Sequence, residues 1–299
     1  MPNSDTPVTT VSHPQSSRMT AATGRRVAAA GLVLPLLVFL FAAFYLPLGY
    51  TLIQSVTSAD GDGFTLAQYA TFLVSRQGQG VLALTLFLAL AATVVSLLLS
   101  LPLALALRRG FPGKGIVQFL MMVPITIPSL VGALGLLILY DRTGWVNYLL
   151  VRTLHVLPQP LAIDYTIPGI VLFYVWMFFP YGGLVIMSGL GALDPALEEA
   201  GRVCGASPWR TFRLIVLPLL KPSLWAGSVM VFLQCFGAFS VPLIAGGNYQ
   251  PLAVKIYTVA TVFLDWHQAS AMAVIMGLIQ ASLVVLYRRL DRQPGRRAT

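Results

Sequence analysis

The residues whose types and spacing could do chemistry gather in one stretch of an apolar chain, Gly191 to Pro222, which reads GALDPALEEAGRVCGASPWRTFRLIVLPLLKP. It holds Asp194, Glu198 and Glu199 of the chain's 10 acids and Arg202, Arg210, Arg213 and Lys221 of its 19 basic residues. Asp194 before Pro195 is an N-cap followed by a residue preset for the first helical turn, so a short helix starts there. Gly205 supplies a left-handed stop. Ser207 and Pro208 repeat the start signal, and a second short helix carries Trp209, Phe212 and Ile215 on one stripe until Pro218 ends it. Leu197, Ala200 and Cys204 lie along one side of the first helix, while Glu198 and Arg202 are spaced to pair at i and i+4 on another. The chemistry open to such a knob is docking, either into a groove of another protein or onto the membrane surface as an amphipathic connector.

The elements that must hold this knob are membrane spans. The 299 residues are 57% hydrophobic and 10% charged, against roughly a quarter charged in soluble domains. Residues 27–53, 81–107, 116–140, 167–190, 223–245 and 268–287 form six apolar runs, each at or above the roughly 20 residues that cross the hydrocarbon. The fold class expected is an all-α membrane protein with six transmembrane helices in one domain over residues 27–290. A disordered cytoplasmic tail (1–26), rich in Ser, Thr and Pro, precedes it, and a basic tail (291–299) follows. Arg25 and Arg26 before the first run resemble a signal peptide, but that run is far longer than an h-region of about 7 to 15 residues and reads as a retained span.

Placing the N-terminus in the cytoplasm leaves only Arg76, Arg142, Arg152 and Lys255 of the 19 basic residues outside, and the positive-inside rule selects that orientation. Both termini and the loop 191–222, between spans four and five, then face the cytoplasm. The formal charge of +9 is spread over separate short loops, which fits membrane topology and not a nucleic-acid face. Cys204 and Cys235 are expected as two free thiols.

No span contains Asp, Glu, Lys, Arg or His. Intramembrane enzymes and proton-coupled carriers keep ionisable groups there despite their cost, so the driving force is expected from another polypeptide. Gly110 to Gly115 has the wrong spacing for a phosphate-binding loop and no following hydroxyl. Neither a paired-histidine helix, a nucleophile elbow nor a cysteine pair with ligand spacing occurs; no catalytic residue, cofactor or metal is expected. The loop Ala59 to Gly63 has two acids but lacks the remaining ligands of a calcium loop. Polar groups inside the spans, among them Gln118, Thr126, Ser129, Ser188, Ser228 and Gln280, are expected to bond between helices. Gln234 and Ser240, on the span leading outward from the knob, are the candidates to line a pathway. Pro124 and Pro128 with Gly132 and Gly135 are expected to kink span three.

From Glu199 the chain runs Glu-Ala-Gly, three residues, Gly205, nine residues, Ile215, one residue, Leu217-Pro218. This closely resembles the "EAA" signature of bacterial ABC importer permeases, with Gly201 where the family has its second alanine. A glycine in a helix interior costs roughly 0.5 to 1 kcal/mol relative to alanine. The resemblance implies a MetI-like permease of a type I, binding-protein-dependent ABC importer in the bacterial inner membrane. It also implies that Glu198, Glu199, Ala200, Gly201, Gly205, Ala206, Ile215, Leu217 and Pro218 form the coupling helix and its turn, seated in a cleft of a cytoplasmic ATPase subunit. Further partners implied are a second permease, identical or related, a periplasmic substrate-binding protein and membrane lipid. Gly144-Trp145-Val146-Asn147 and the span entering the loop are similar to the polyamine, ferric iron and 2-aminoethylphosphonate permeases, so a small polar solute of the polyamine or phosphonate class is the expected substrate.

The outer loop 141–166 carries Trp145, Tyr148, Leu149 and Leu154. A short interfacial helix there would touch a binding protein or serve only as an aromatic membrane anchor. The loop Gly246 to Pro251 is turn chemistry, a gate rim or a connector. The alternatives are an ABC permease for ferric iron or another small solute, a gradient-driven secondary transporter and a structural membrane protein.

Overall fold

The computed structural model describes residues 31, 33–58 and 63–291. The expected N-terminal tail, the C-terminal tail beyond Asp291 and the acidic turn at Ala59 to Asp62 lie outside the described residues. The described chain is helical, and the isolated antiparallel bridge Thr57–Phe64 closes the loop after the first helix.

The chain divides after Ile53 into two units. The first unit carries most of helix α1 (Val33–Val56), apolar up to Tyr50, with its large side chains exposed. A π turn at Phe41–Tyr45 interrupts it, the Leu46 N–H reaching the Phe41 carbonyl, and Pro47 follows at once. Proline has no N–H to give an α-register and its ring crowds the carbonyl four residues back, so widening the helix one turn earlier lets it continue.

In the second unit, α2 (Ala67–Val74) is short and α3 (Arg76–Arg108), at 33 residues, is the longest of the described helices. At 1.5 Å per residue α3 rises about 50 Å, well beyond the roughly 30 Å hydrocarbon core. The apolar run marked only the membrane part. Polar Arg76, Gln77 and Gln79 at one end and Arg108 at the other extend the helix, and the Ser75 hydroxyl caps it by accepting from the Gly78 N–H at 3.0 Å.

Span three is not one kinked helix. It is α4 (Lys114–Thr126) and α5 (Ser129–Tyr140), the latter continuing toward Thr153, bent by 110°. Ile127 sits at φ −84°, ψ 128°, the extended region to which a residue before proline is confined. Pro128 therefore ends one helix and opens the next, and the expected kink becomes a break.

Helix α6 (Trp145–Asn147) passes into a π turn at Tyr148–Thr153, and α7 (Ile167–Gly191) returns through the centre. After α8 (Pro195–Val203), α9 (Pro208–Phe236) runs unbroken past Pro218. The second short helix expected to stop at that proline does not stop. A π turn at Phe212–Val216, in which the Leu217 N–H reaches the Phe212 carbonyl, puts Pro218 in the first turn of the next α segment, where its missing N–H costs nothing. This is the device of α1, again on a Leu-Pro pair. Conversely, the run 223–245 is not continuous: α9 ends at Phe236, and α10 (Ser240–Ala245), α11 (Leu252–Thr261) and α12 (Trp266–Asp291) follow.

Helix α7 is the hub. Ile170, Phe173, Tyr174 and Met177 are buried in the cluster it shares with α3 and α9. Glycines set the spacing: a Cβ at Gly182 would lie 3.0 Å from Val231 Cγ2, and one at Gly189 only 2.1 Å from the Ser223 hydroxyl. Small residues let membrane helices approach closely where lipid offers no hydrophobic contrast.

Candidate functional site

The knob is built by local caps. Asp194 Oδ1 accepts from the Ala196 N–H at 2.9 Å, with Pro195 behind it, and this starts α8. At the other end Gly205 sits at φ +79°, its N–H on the Arg202 carbonyl, while the Ala206 N–H bonds back to the Gly201 carbonyl at 3.0 Å. A left-handed residue is what lets the chain turn back and satisfy the last carbonyls of the helix. Ser207 Oγ then accepts from the Arg210 N–H and opens α9.

The nine residues expected to couple come together here. Glu198, Glu199, Ala200 and Gly201 lie on α8, Gly205 and Ala206 in the turn, and Ile215, Leu217 and Pro218 in the first turns of α9. Gly201 has a packing role that the sequence did not disclose. A Cβ there would come within 2.9 Å of Ile215 Cδ1, so the glycine lets α8 lie against the π turn of α9. Below, Leu193 and Phe212 seat the knob on Ala104, Ile186, Leu190, Val216 and Leu220 from α3, α7 and α9. Outward it presents Glu199, Ala200, Cys204, Trp209, Leu214 and Val203, the last 88% exposed. Exposed apolar side chains set among charged ones are the chemistry of an interaction surface.

Glu198 does not pair with Arg202 through its carboxylate. Its Oε1 accepts from Arg108 Nη1 at the end of α3, and Arg108 Nη2 also donates to the Leu193 carbonyl at 3.1 Å. Arg202 instead turns its Nε to the Glu198 backbone carbonyl at 3.5 Å. Arg108 had been visible only as one more inner basic residue; its partner lies 90 positions away in sequence.

The two pathway candidates lie on different helices. Gln234 is half-buried on α9, whereas Ser240 opens α10 and shares a hydrogen bond of 2.8 Å with Ser129, which opens α5. Two interrupted spans thus restart side by side, each on a serine.

At the opposite end of the spans from the knob, in the loop 141–166, Trp145 and Tyr148 are exposed, while Asn147 between them is 1% exposed. Asn147 Nδ2 donates toward the carbonyls of Tyr140, Asp141 and Leu161, and its Oδ1 accepts from the Leu161 N–H at 2.6 Å, so it pins α6 to both flanking strands of the loop. The hydroxyl and amide of Thr143 donate to Asp141 Oδ2 at 2.7 and 3.0 Å and hold that carboxyl below the usual carboxylate range. Among the described residues no three His, Cys, Asp or Glu side chains gather as metal ligands.

Residues 96–296, which contain the whole knob, match the model of the family described as binding-protein-dependent transport system inner membrane component. The spermidine/putrescine transport system permease protein PotB of Salmonella typhimurium is 31% identical over 77% of this chain and 80% of its own length. A putative ferric transport system permease protein, FbpB 1 of Haemophilus influenzae, is 28% identical over 76% of this chain and 36% of its own. In fold, a chain of a bacterial ABC transporter that imports the acidic polysaccharide alginate superimposes with a TM-score of 0.76 at 17% identity, over 93% of this chain and all of that one.

Proposed function

Since this chain belongs to the family of binding-protein-dependent transport system inner membrane components, we propose that it carries a polyamine-class solute inward and is driven through the knob at Gly191 to Pro222. The chain is the multi-pass inner-membrane permease subunit of an ABC importer for a small solute, and it is not an enzyme, because ATP hydrolysis belongs to a separate subunit. A gradient-driven carrier and a purely structural role are thereby set aside.

The observation that carries the coupling reading is the knob itself, whose exposed face of Ala200, Val203 and Trp209 beside Glu199 suits a cleft in a cytoplasmic ATPase subunit. Closure of the two ATPases on ATP would draw this knob toward that of the second permease and switch the pathway between its inward-facing and outward-facing states. A binding protein would deliver solute to the outer face beside α6. The basic-residue distribution supports cytoplasmic termini and a cytoplasmic knob. Ser240, together with Ser129, and Gln234 are the residues assigned to the pathway.

Likeness to a spermidine/putrescine permease supports the polyamine class. 2-Aminoethylphosphonate shares the primary ammonium with polyamines and is the second substrate to test. Labelled spermidine taken up by vesicles carrying the complete transporter, and competed by putrescine but not by 2-aminoethylphosphonate, supports the polyamine reading; the reverse competition replaces it. Glu199→Lys and Gly205→Asp are expected to abolish that uptake while the protein stays in the membrane. Orientation has its own probe in Cys204, exposed while Cys235 is buried. A membrane-impermeant maleimide should label inside-out vesicles and spare right-side-out ones.

A further inference from the structure

Besides the Gln79 amide, which donates to the Leu73 carbonyl of the adjoining α2 at 3.1 Å, helix α3 has polar ties to three elements distant in sequence. At the Arg108 end the guanidinium holds both the Glu198 carboxylate of α8 and the Leu193 carbonyl at the root of the knob. Further along, Ser100 Oγ donates to the Phe179 carbonyl in the middle of α7 at 3.0 Å. Toward the other end, Thr85 Oγ1 accepts from the buried Leu252 N–H that begins α11, at 2.8 Å. Arg108 and Thr85 are about 35 Å apart at 1.5 Å per residue of helix.

We propose that Arg108 is a positioning residue that locks α8 to α3, so that displacement of the knob is delivered along α3 to α7 and α11. Glu198 then faces inward as the other half of the lock, and Glu199 beside it is left to face the partner. The chemistry suits the task. Arginine offers a planar fork that engages a carboxylate and a carbonyl together, whereas lysine would give a point charge without that geometry. At the C-terminal end of a helix the cation is also favoured by the helix dipole. Without the lock, α8 keeps its chain connections and its contact at Gly201 with Ile215, and the knob meets α3 through the apolar packing of Leu193 and Phe212, which has no fixed polar geometry. The inference rests on the reading of the knob as the ATPase-docking element.

The test uses the full complex with its ATPase, reconstituted in liposomes, in a background carrying Cys204→Ser and Cys235→Ala. Spin labels at Val74→Cys and Val156→Cys, both exposed on outer segments, report by pulsed dipolar spectroscopy the distance change on trapping with ATP and vanadate. In the parent the distance shifts. In Arg108→Gln the shifted fraction falls at least about fivefold, the lower end of ordinary coupling between sites, while the ATPase still co-purifies. Arg108→Lys falls between the two, and the exchange Arg108→Glu with Glu198→Arg recovers most of the shift, which a general packing defect would not do. A shift retained in Arg108→Gln, or an exchange variant that assembles but does no better than Arg108→Gln alone, overturns the lock. A parent that binds no ATPase, or binds it and shows no shift, overturns the coupling reading beneath it instead.

Discussion

Two places in the molecule interrupt a helix and start another, and they are built by opposite means. In the knob, the turn between α8 and α9 is written locally: Asp194 and Ser207 cap the two starts, and Gly205 at φ +79° makes the stop. In the membrane, the breaks before Ser129 and Ser240 are held by each other, with no side-chain cap at either start and a hydrogen bond between the two serines. The knob therefore keeps its shape with its face exposed, while the paired breaks depend on neighbouring helices. A docking element needs the first property. A pathway that must change shape needs the second.

Changes at the knob should act on function far more than on folding. Gly205→Val puts a β-branched residue in the left-handed region at a local cost of about 1–3 kcal/mol. It is expected to remove ATP-driven uptake with the membrane-inserted amount unchanged, measured by labelled spermidine uptake against immunoblot; full uptake would show that the turn geometry is not required. Packing changes should do the reverse. Gly189→Leu drives side-chain atoms into Ser223, where even a Cβ would be 2.1 Å from the hydroxyl, and overpacking of this kind costs about 1–3 kcal/mol or more. Its melting temperature in detergent should fall clearly, and Gly183→Ala should fall less, because there the obstacle is the movable Met121 Cε.

Asn147→Ala probes the loop at the far end of the spans from the knob. It strands the Leu161 N–H and neighbouring carbonyls, at about 1–3 kcal/mol for a buried group left unpaired, and should expose the loop after α6 to limited proteolysis from the outside before the rest of the chain is cut. The smallest effect is expected at the membrane breaks. A double-mutant cycle of Ser129→Ala and Ser240→Ala should give a coupling of about 0.6 kcal/mol, typical of hydrogen bonds between membrane helices. A coupling near zero would mean that the two restarts are independent.

What could be read from the sequence follows the same division. Asp194, Gly205 and Ser207 act on residues within a few positions of themselves, so the knob and its caps were legible. The number and rough position of the apolar runs were legible too, because hydropathy is a local sum. The break at Ile127–Pro128 was half legible: proline announced a disturbance, but whether a span bends or separates depends on what the second half packs against. Pro218 misled for a related reason. The π turn ahead of it, like the one ahead of Pro47, moves the hydrogen-bond register so that proline no longer terminates the helix. Arg108 with Glu198 and Ser129 with Ser240 could not be found by spacing, since the partners are separated by 90 and 111 positions.

The central claim is that the α8–α9 knob is pressed by a nucleotide-hydrolysing partner. Its most direct test places a photo-crosslinker at Val203, the more exposed of the two large apolar side chains of α8, in cells expressing the whole transporter. The account predicts an adduct with the ATPase subunit whose yield changes when ATP and vanadate trap the complex. An adduct with a protein of the outer side, or none with any ATPase while the transporter works, would contradict it.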